Sequence, residues 1–326
     1  GLNNLGNTCF MNSALQCLSH FADLTSYFVS NVYMSELNRE NPLGMKGAVA
    51  SAYGRLLKAM WEAGRGSYAP RLFKQTIGQW APQFRGYSQQ DAPEFLTFLL
   101  DGMHEDLNRI IRKPYIEIPD ANGRPDEEVA DERWNIYKQR DDSVIFDLFQ
   151  GQYRSTLVCP ECDNVSVTFD PFMCLTLPLP VQRQKWLERK VTLDECLAEF
   201  MKPEQLGEED LWYCNKCKEH RQATKKFDIW RVPEILVVHL KRFQHSRVWR
   251  DKIDTYVDFP LSDLDLTQTV VGPNGESLVY DLHAVCNHYG GLGGGHYTAY
   301  ARNPEDGNWY DFNDSHVSEV SPSKDV

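Results

Sequence analysis

Several features that would mark a membrane-bound or secreted protein are missing from the sequence. No uninterrupted apolar run reaches the roughly 20 residues that a membrane-spanning helix needs. The first residues also lack the charged and then apolar pattern of a secretory signal. We therefore expect a soluble protein that has no membrane partner. Internal repeats and low-complexity segments are absent as well.

Positive charge is in short supply. The chain has 34 Lys and Arg against 46 Asp and Glu, which gives a formal net charge of -12. This balance disfavours a sequence-independent nucleic-acid binder, which needs a positive surface, and suits a basic partner. The nine cysteines are an odd number, and four of them form two C-x-x-C pairs, which argues against a disulfide framework. A reducing compartment, the cytoplasm or the nucleus, is expected.

The length of 326 residues predicts two or three lobes rather than one core. Helical periodicity dominates at first and strand-like alternation later, so the predicted class is α+β. The predicted segments are a mostly helical region 1–115, an acidic connecting loop 116–142, a β-rich region 143–255 and a final β region 256–326.

Some elements are predicted individually. The clearest helix begins near Gln89, with Ser88 and Asp91 as an N-terminal cap and Pro93 inside its first turn. A second helix is expected over 191–201. A buried central strand is expected over 235–240 and another strand over 278–285, followed by a glycine-dense loop at 290–295.

Cys9 is the candidate nucleophile. Apolar residues recur at helical spacing from Phe10 onward, so Cys9 falls in the first turn of an amphipathic helix. There, unpaired backbone N–H groups and the positive end of the helix dipole favour a thiolate. Gly6 permits a sharp turn, and the Asn4 amide could join the Cys9 backbone N–H in an oxyanion hole. The alternative is a buried core cysteine.

His296 supplies a candidate base. It opens a strand that is joined to a second strand by the turn 303–308, and pairing Arg302 with Trp309 makes cross-strand partners sum to 611. Residue 313 then lies diagonal to His296 on the same face, so Asn313 could orient the imidazole. A one-residue bulge would substitute Asp314, whose alternative role is to cap a turn. Together Cys9, His296 and Asn313 are the parts of a thiol hydrolase that forms a thioester.

Cys159, Cys162, Cys214 and Cys217 form the two C-x-x-C pairs, about fifty residues apart. Each pair can present two thiolates from one tight turn, and two such turns complete a closed tetrahedral zinc site. The predicted role is structural, with one ion joining two distant hairpins. Redox disulfides are the alternative, but the βαβ context usual for them is missing.

These residues carry a resemblance. Residues 1–13 resemble the cysteine box of the ubiquitin-specific proteases, and residues 288–315 resemble their histidine box. Further phrases at 41–45, 123–126, 169–172 and 236–243 are similar to the subgroup whose long members carry an amino-terminal DUSP domain and ubiquitin-like domains.

The resemblance implies a papain-like cysteine protease fold with a helical thumb, a β-rich palm and zinc-ribbon fingers. It implies a monomeric catalytic domain that hydrolyses the bond after ubiquitin's C-terminal glycine and needs no organic cofactor. Cys9 would be the nucleophile, His296 the base, Asn313 the third member and Asn4 an oxyanion donor, with Asp314 as a further catalytic candidate. Residues matched to ubiquitin binding are Asp91, Glu94, Gly294, Gly295 and Tyr297.

Three departures from the family pattern keep other functions open. Pro93 replaces a common glutamine, the subgroup's large insertion is nearly absent between Pro180 and Val191, and the final apolar strand that follows the histidine box in relatives is not found here. Pro93 and the missing strand suggest the main alternative, a non-catalytic ubiquitin-binding scaffold. A zinc-ribbon nucleic-acid module, suggested by the basic run 241–252, conflicts with the overall acidity.

Overall fold

The computed structural model describes all residues except 63, 65, 120, 122, 181–189, 246–249, 274–277, 292–293 and 323–326. The chain divides into two compact units. The first contains Gly1–Lys113, Asp141–Phe146 and Asp281–Val326, and the second contains Pro114–Arg140 and Asp147–Tyr280. Within the described residues, every helix is too short or too polar to cross a bilayer.

The helices and strands are numbered in chain order. The α-helices are α1 Cys9–Ser19, α2 Ala22–Val29, α3 Tyr33–Glu36, α4 Ala48–Glu62, α5 Arg71–Trp80, α6 Ala92–Asp106, α7 Asp126–Lys138, α8 Val144–Phe149 and α9 Leu193–Phe200, with a 3₁₀ turn at Pro82–Phe84. The first nine strands are β1 Gly151–Val158, β2 Val165–Phe172, β3 Leu175–Leu177, β4 Val191–Thr192, β5 Glu204–Gln205, β6 Trp212–Cys214, β7 Glu219–Arg221, β8 Thr224–Arg231 and β9 Val238–Leu240. The remaining strands are β10 Phe243–His245, β11 Arg250–Lys252, β12 Val257–Asp258, β13 Leu264–Asp265, β14 Val279–Tyr280, β15 Ala284–Gly291, β16 Gly294–Arg302, β17 Trp309–Asn313 and β18 His316–Val320.

In the described part of the first unit, helices α1 to α6 pack with an antiparallel sheet ordered β15-β16-β17-β18. Helix α1 is its central helix, because all of its eleven residues except Cys17 are buried. The prediction of an amphipathic helix is therefore wrong in one respect: α1 has no broad solvent face. Phe10 packs edge-on against Phe95 of α6, with ring centroids 5.7 Å apart. This packing fixes the beginning of α1, where Cys9 lies.

Helix α6 begins at Ala92, three residues later than predicted. Asp91 is the N-cap residue and its side chain makes no capping hydrogen bond, so the predicted cap formed by Ser88 and Asp91 is wrong. Pro93 falls in the first turn as predicted, where its missing N–H removes no helical hydrogen bond. The departure from the family pattern at Pro93 therefore leaves the helix intact.

The second unit contains a sheet ordered β2-β1-β8-β5 and a separate hairpin of β6 and β7. The two other hairpin-like pairs are β10-β11 and β13-β14, while β3-β9 and β4-β12 are short parallel pairs. Helix α9 begins with a full capping box. The Thr192 side chain accepts a hydrogen bond from the Glu195 backbone N–H, and the Glu195 carboxylate accepts one from the Thr192 backbone N–H. The core around α9 includes Cys196 and Leu197 together with Leu175.

The acidic segment predicted as a connecting loop contains helix α7. The three acids in its first turn lie at the positive end of the helix dipole, which stabilises the helix start. Its buried face, Val129 and Ala130, packs against Phe169 and Trp230. The prediction of a loop was wrong because it was based on the acidic residues and the turn residues near 123–125, and did not include this narrow apolar face.

Two strand predictions also need correction. The run 235–240 forms a strand only from Val238 to Leu240, half-buried and paired in parallel with the three-residue β3, which Pro178 follows. The run 278–285 is split into β14 and β15. The predicted glycine loop is mostly strand, because Gly290 pairs with Gly295 and Gly291 with Gly294; its middle, residues 292–293, lies outside the described residues.

Candidate active site and metal cluster

Cys9 is the first residue of α1 and is 3% exposed. The pKa of its thiol is raised by burial, opposed by a hydrogen bond from the Tyr297 backbone N–H and raised further by the negative charge of Asp314. The expectation that the helix start would favour a thiolate is therefore wrong for the free protein. Desolvation outweighs the lowering by backbone N–H groups, which include those of Cys9 and Phe10 at the helix start.

The turn before Cys9 has the geometry that Gly6 was expected to allow. Gly6 has a φ of +103°, and a Cβ there would lie 2.7 Å from the Tyr87 ring. The Asn4 side-chain oxygen accepts hydrogen bonds from the backbone N–H groups of Gly6 at 2.9 Å and Thr8 at 3.2 Å. These bonds hold the loop in one shape and fix the Asn4 carboxamide beside the start of α1.

His296 and Asn313 are brought together as predicted. The observed register pairs Arg302 with Trp309 and Ala299 with Phe312, so partners sum to 611 with no bulge. His296 Nε2 lies 2.8 Å from Asn313 Oδ1. Since a carboxamide oxygen only accepts, Nε2 carries the hydrogen and Nδ1 is left as the basic nitrogen. The next residue along β16, Tyr297, is the one whose N–H reaches Cys9.

Asp314 lies in the turn after β17 with a φ of +50°. One carboxylate oxygen accepts from Asn4 Nδ2 at 2.9 Å and the other from Asn12 Nδ2 at 2.8 Å. Asp314 therefore connects the end of β17 to both the loop before Cys9 and helix α1. Its observed contacts are with Asn4 and Asn12, while Asn313 is the partner of His296.

The residues matched to ubiquitin binding occupy two places. Asp91 and Glu94 are exposed at the start of α6, and Gly294 and Gly295 open β16. Tyr297 connects these places: its hydroxyl lies 3.4 Å from Asp91 Oδ1 and accepts from the Ala92 backbone N–H. Burial raises the pKa of Tyr297.

The four cysteines of the C-x-x-C pairs meet at the tips of two hairpins in the second unit, with all four Sγ atoms within 4.8 Å of one another. The Sγ distances are 3.9 Å for Cys159 to Cys217 and 3.7 Å for Cys162 to Cys214. A tetrahedral ion with Zn–S bonds of about 2.3 Å separates its thiolates by roughly 3.8 Å. The cluster therefore has the size of a four-thiolate metal site.

The two knuckles share one backbone design. Asp163 and Lys218, each four residues after the first cysteine of its knuckle, have positive φ angles of 53° and 60°. Each donates its N–H to the carbonyl of that first cysteine. The Cys217 backbone N–H donates to Cys214 Sγ and, as the main cause, lowers the pKa of that thiol to about 6. Backbone donors of this kind favour the thiolate that a metal needs.

The sequence model of the ubiquitin carboxyl-terminal hydrolase family matches residues 1–326. The chain belongs to this family.

Among curated members of the family, ubiquitin carboxyl-terminal hydrolase 10 of Arabidopsis thaliana is 33% identical over 578 residues, covering 99% of this chain and 62% of the relative. Ubiquitin carboxyl-terminal hydrolase 4 of Bos taurus is 31% identical over 601 residues, covering 98% of this chain and 62% of the relative. The chain thus spans less than two thirds of the length of these relatives. Since the matches are longer than the 326 residues here, the relatives contain segments that this chain lacks.

Solved structures of the family share the fold. The SAGA Ubp8 DUB module bound to monoubiquitin matches with a TM-score of 0.72 at 27% identity, covering 99% of this chain and 65% of that chain. The same module bound to ubiquitin aldehyde gives a TM-score of 0.69 at 27% identity and covers 99% of this chain and 66% of that chain. The predicted α+β, papain-like cysteine protease fold is confirmed.

Two residues of the site have partners that their positions in the sequence do not predict. Asn12 is 2% exposed and anchors Asp314, but it lies opposite the apolar stripe predicted for α1, so the sequence pattern did not indicate its burial. Gln89 makes two hydrogen bonds to the backbone of Gly295. The sequence pattern places Gln89 near the beginning of a helix, and that position predicts no partner for its side chain.

Proposed function

We propose that this chain is a deubiquitinating thiol protease that hydrolyses the bond after the C-terminal glycine of ubiquitin. The observation that carries the proposal is the joint geometry of Cys9 and His296. The Cys9 sulfur accepts a hydrogen bond from the residue next to His296, and Asn313 holds the imidazole with Nδ1 as its basic nitrogen. Family members in solved structures bind monoubiquitin and ubiquitin aldehyde, which supports the choice of substrate.

The reaction begins with proton transfer from the Cys9 thiol to His296 Nδ1. The sulfur attacks the glycine carbonyl, and the tetrahedral intermediate loses the amine, which takes the proton from His296, to leave a thioester. Water, deprotonated by His296, then releases ubiquitin and restores the thiol. Because burial raises the pKa of Cys9, this transfer to a positioned base is the step that supplies the thiolate.

The oxyanion is proposed to bind to the Cys9 backbone N–H and to Asn4. An amide nitrogen carries two hydrogens, and Asp314 receives one of them from Asn4 Nδ2. The other is proposed to point at the oxyanion. Asp314 is therefore assigned a positioning role, because it fixes the amide that stabilises developing charge.

Substrate recognition is proposed to use the two places joined by Tyr297. Asp91 and Glu94, both exposed at the start of α6, would receive the basic residues of ubiquitin's tail. Gly294 and Gly295 lack side chains and would flank the tail's glycines. The chain is proposed to act as a monomer in the cytoplasm and nucleus, in line with its nine free cysteines.

A structural zinc ion is proposed for the four cysteines. Their separations match a tetrahedral thiolate site, and four protein ligands leave no position for substrate. The ion would join the β1-β2 turn to the β6-β7 turn and contribute to the folding of the second unit. No organic cofactor is proposed.

Ubiquitin carrying a fluorogenic amide on its terminal carboxyl tests the activity. The wild-type chain is expected to release the fluorophore, and Cys9→Ala is expected to abolish release. Cys17→Ala is the matched control, because Cys17 lies on the same helix and is half-buried. Tight ubiquitin binding without turnover by the wild-type chain would favour the non-catalytic scaffold, and turnover by Cys9→Ala would refute the nucleophile assignment.

A further inference from the structure

In the first unit, the Gln89 side chain forms hydrogen bonds with both the backbone N–H and the backbone C=O of one residue, Gly295. Its Oε1 accepts from the Gly295 N–H at 2.9 Å, and its Nε2 donates to the Gly295 carbonyl at 2.5 Å. A side-chain amide that accepts and donates in this way mimics a neighbouring strand's peptide group. Gln89 therefore extends hydrogen bonding along an edge of β16.

The same edge of β16 reaches Cys9. In a β-strand the backbone N–H and C=O groups of residues two apart point to the same edge, so Gly295 and Tyr297 share an edge. Gly295 is bonded by Gln89, and Tyr297 donates its N–H to the Cys9 sulfur. Pairing with β17 covers β16 from Ala299 to Arg302, beyond these residues. His296 lies between the two bonded residues.

Gly295 is also closely packed on its other side. A Cβ at this position would lie 2.2 Å from His288 Nε2 and 2.6 Å from the Tyr289 carbonyl oxygen. The backbone of Gly295 is thus held between β15 and the Gln89 side chain. A shift of this backbone would move His296 directly, because the two residues share a peptide bond.

The segment that carries Gln89 is itself attached to the loop before Cys9. Asn7 Nδ2 donates to the Tyr87 carbonyl at 2.8 Å, and the Tyr87 ring lies where a Cβ on Gly6 would fall. Lys74 Nζ donates to the Gly86 carbonyl at 2.8 Å and makes a cation–π contact with the Tyr87 ring. One short segment therefore contacts the loop of the nucleophile and the strand of the base.

We propose that Gln89 is a positioning residue that aligns His296 and the Tyr297 N–H with Cys9 by holding the backbone of Gly295. The role adds a residue to the proposed hydrolysis and rests on that function. It acts through the backbone of β16 and requires no contact between Gln89 and the reacting atoms.

Gln89→Met tests the proposal, because methionine has a similar length and makes neither hydrogen bond. Gln90→Met is the matched control, since Gln90 is the next residue and its Nε2 donates to the Gln83 carbonyl at 3.0 Å. With fluorogenic ubiquitin amide, Gln89→Met is expected to lower kcat on the order of tenfold, with KM changed less than about twofold. Gln90→Met should keep kcat within about twofold, and both variants should unfold at the wild-type temperature because Gln89 is exposed.

A second measurement works without ubiquitin. Iodoacetamide labels Cys9, and mass spectrometry of the Cys9 peptide gives its rate. Because the Tyr297 N–H favours the thiolate, Gln89→Met is expected to slow alkylation of Cys9 at a fixed pH, whereas Gln90→Met is not. If wild-type chain fails to hydrolyse ubiquitin amide, the proposed function is refuted while this measurement still decides the role of Gln89.

Three results with Gln89→Met would overturn the proposal. They are an unchanged kcat in Gln89→Met, a raised KM at unchanged kcat, which would make Gln89 a substrate contact, and equal alkylation rates in wild type and Gln89→Met. An equal loss of kcat in Gln90→Met would show a general effect on the segment and would also overturn it.

Discussion

Cys9 and the four clustered cysteines lie in different compact units and are held by different kinds of interaction. Cys9 begins a buried helix, and its neighbours are fixed by hydrogen bonds such as those of Asn313 to His296 and Asp314 to Asn4. The clustered cysteines lie at hairpin turns whose neighbouring apolar side chains are exposed to solvent: Val165 is 56% exposed and Tyr213 is 44% exposed.

The two sites need different interactions in order to form. The first unit builds its site from packing and many modest hydrogen bonds, so single substitutions there should lower activity and leave the fold intact. The hairpin tips have little buried apolar surface, so the proposed ion must hold them together. Loss of the ion should therefore be a structural event, and loss of a side chain near Cys9 a kinetic one.

The largest expected effect is that of metal removal. Chelation, or Cys214→Ser, should release one zinc ion per chain and unfold the hairpin tips, because structural zinc binding contributes about 10–16 kcal/mol. Metal analysis and circular dichroism measure the two losses. Cys174→Ala, outside the cluster, should retain the ion. An apo-protein with unchanged β structure would contradict the contrast between the two sites.

His296→Ala should come next, with kcat lowered by two to four orders of magnitude on loss of general base catalysis. The unfolding temperature should change little, because His296 lies at the half-exposed start of β16. His316→Ala is the control, since His316 is an exposed histidine opposite Asn313 on β18. Steady-state kinetics with fluorogenic ubiquitin amide measure kcat for both variants. A comparable loss of kcat in His316→Ala would contradict the assignment of His296 as the base.

Asn313→Ala should lower kcat on the order of tenfold, because the imidazole loses its orienting partner. Asp314→Ala should lower kcat less, since it acts through Asn4, whose carboxamide is also held by the N–H groups of Gly6 and Thr8. The ratio of the two kcat values is the measurement. A larger loss in Asp314→Ala would show that the turn residue, and not Asn313, dominates catalysis.

The smallest effect expected is a shift in the pH dependence of Cys9. Asp314 carries a negative charge that raises the pKa of the Cys9 thiol, in addition to the larger effect of burial. Removing that charge stabilises the thiolate, so Asp314→Ala should move the midpoint of Cys9 alkylation to lower pH. Iodoacetamide labelling across the range pH 6 to 11 measures it. A shift to higher pH would mean that the lost Asn4 and Asn12 contacts matter more than the charge.

The part of the site that follows from sequence is local. The hairpin register from Arg302 and Trp309 was predictable because a turn rich in breakers fixes one end and strand alternation does the rest. The spacing of the four cysteines was informative for the same reason, since each knuckle is a single tight turn. In both cases a few neighbouring residues determine the geometry.

What sequence could not supply depends on tertiary packing. The raised pKa of Cys9 follows from the burial of α1 on nearly all sides, whereas the helix dipole is visible in the local pattern alone. The hydrogen bonds from Gln89 to Gly295 and from Asn12 to Asp314 join residues separated by 206 and 302 positions. No periodicity relates such residues, so their partners emerge only from the folded chain.

The most direct test of the central claim is covalent capture by ubiquitin carrying an electrophile at its C-terminus. The wild-type chain should gain the mass of one ubiquitin, with the bond mapped to Cys9. After metal removal, the fraction of chain that is labelled should fall only in proportion to the unfolding of the second unit. Cys9→Ala should remain unlabelled. Labelling of Cys9→Ala, or attachment to one of the clustered cysteines in the native wild-type chain, would contradict the assignment of Cys9 as the nucleophile.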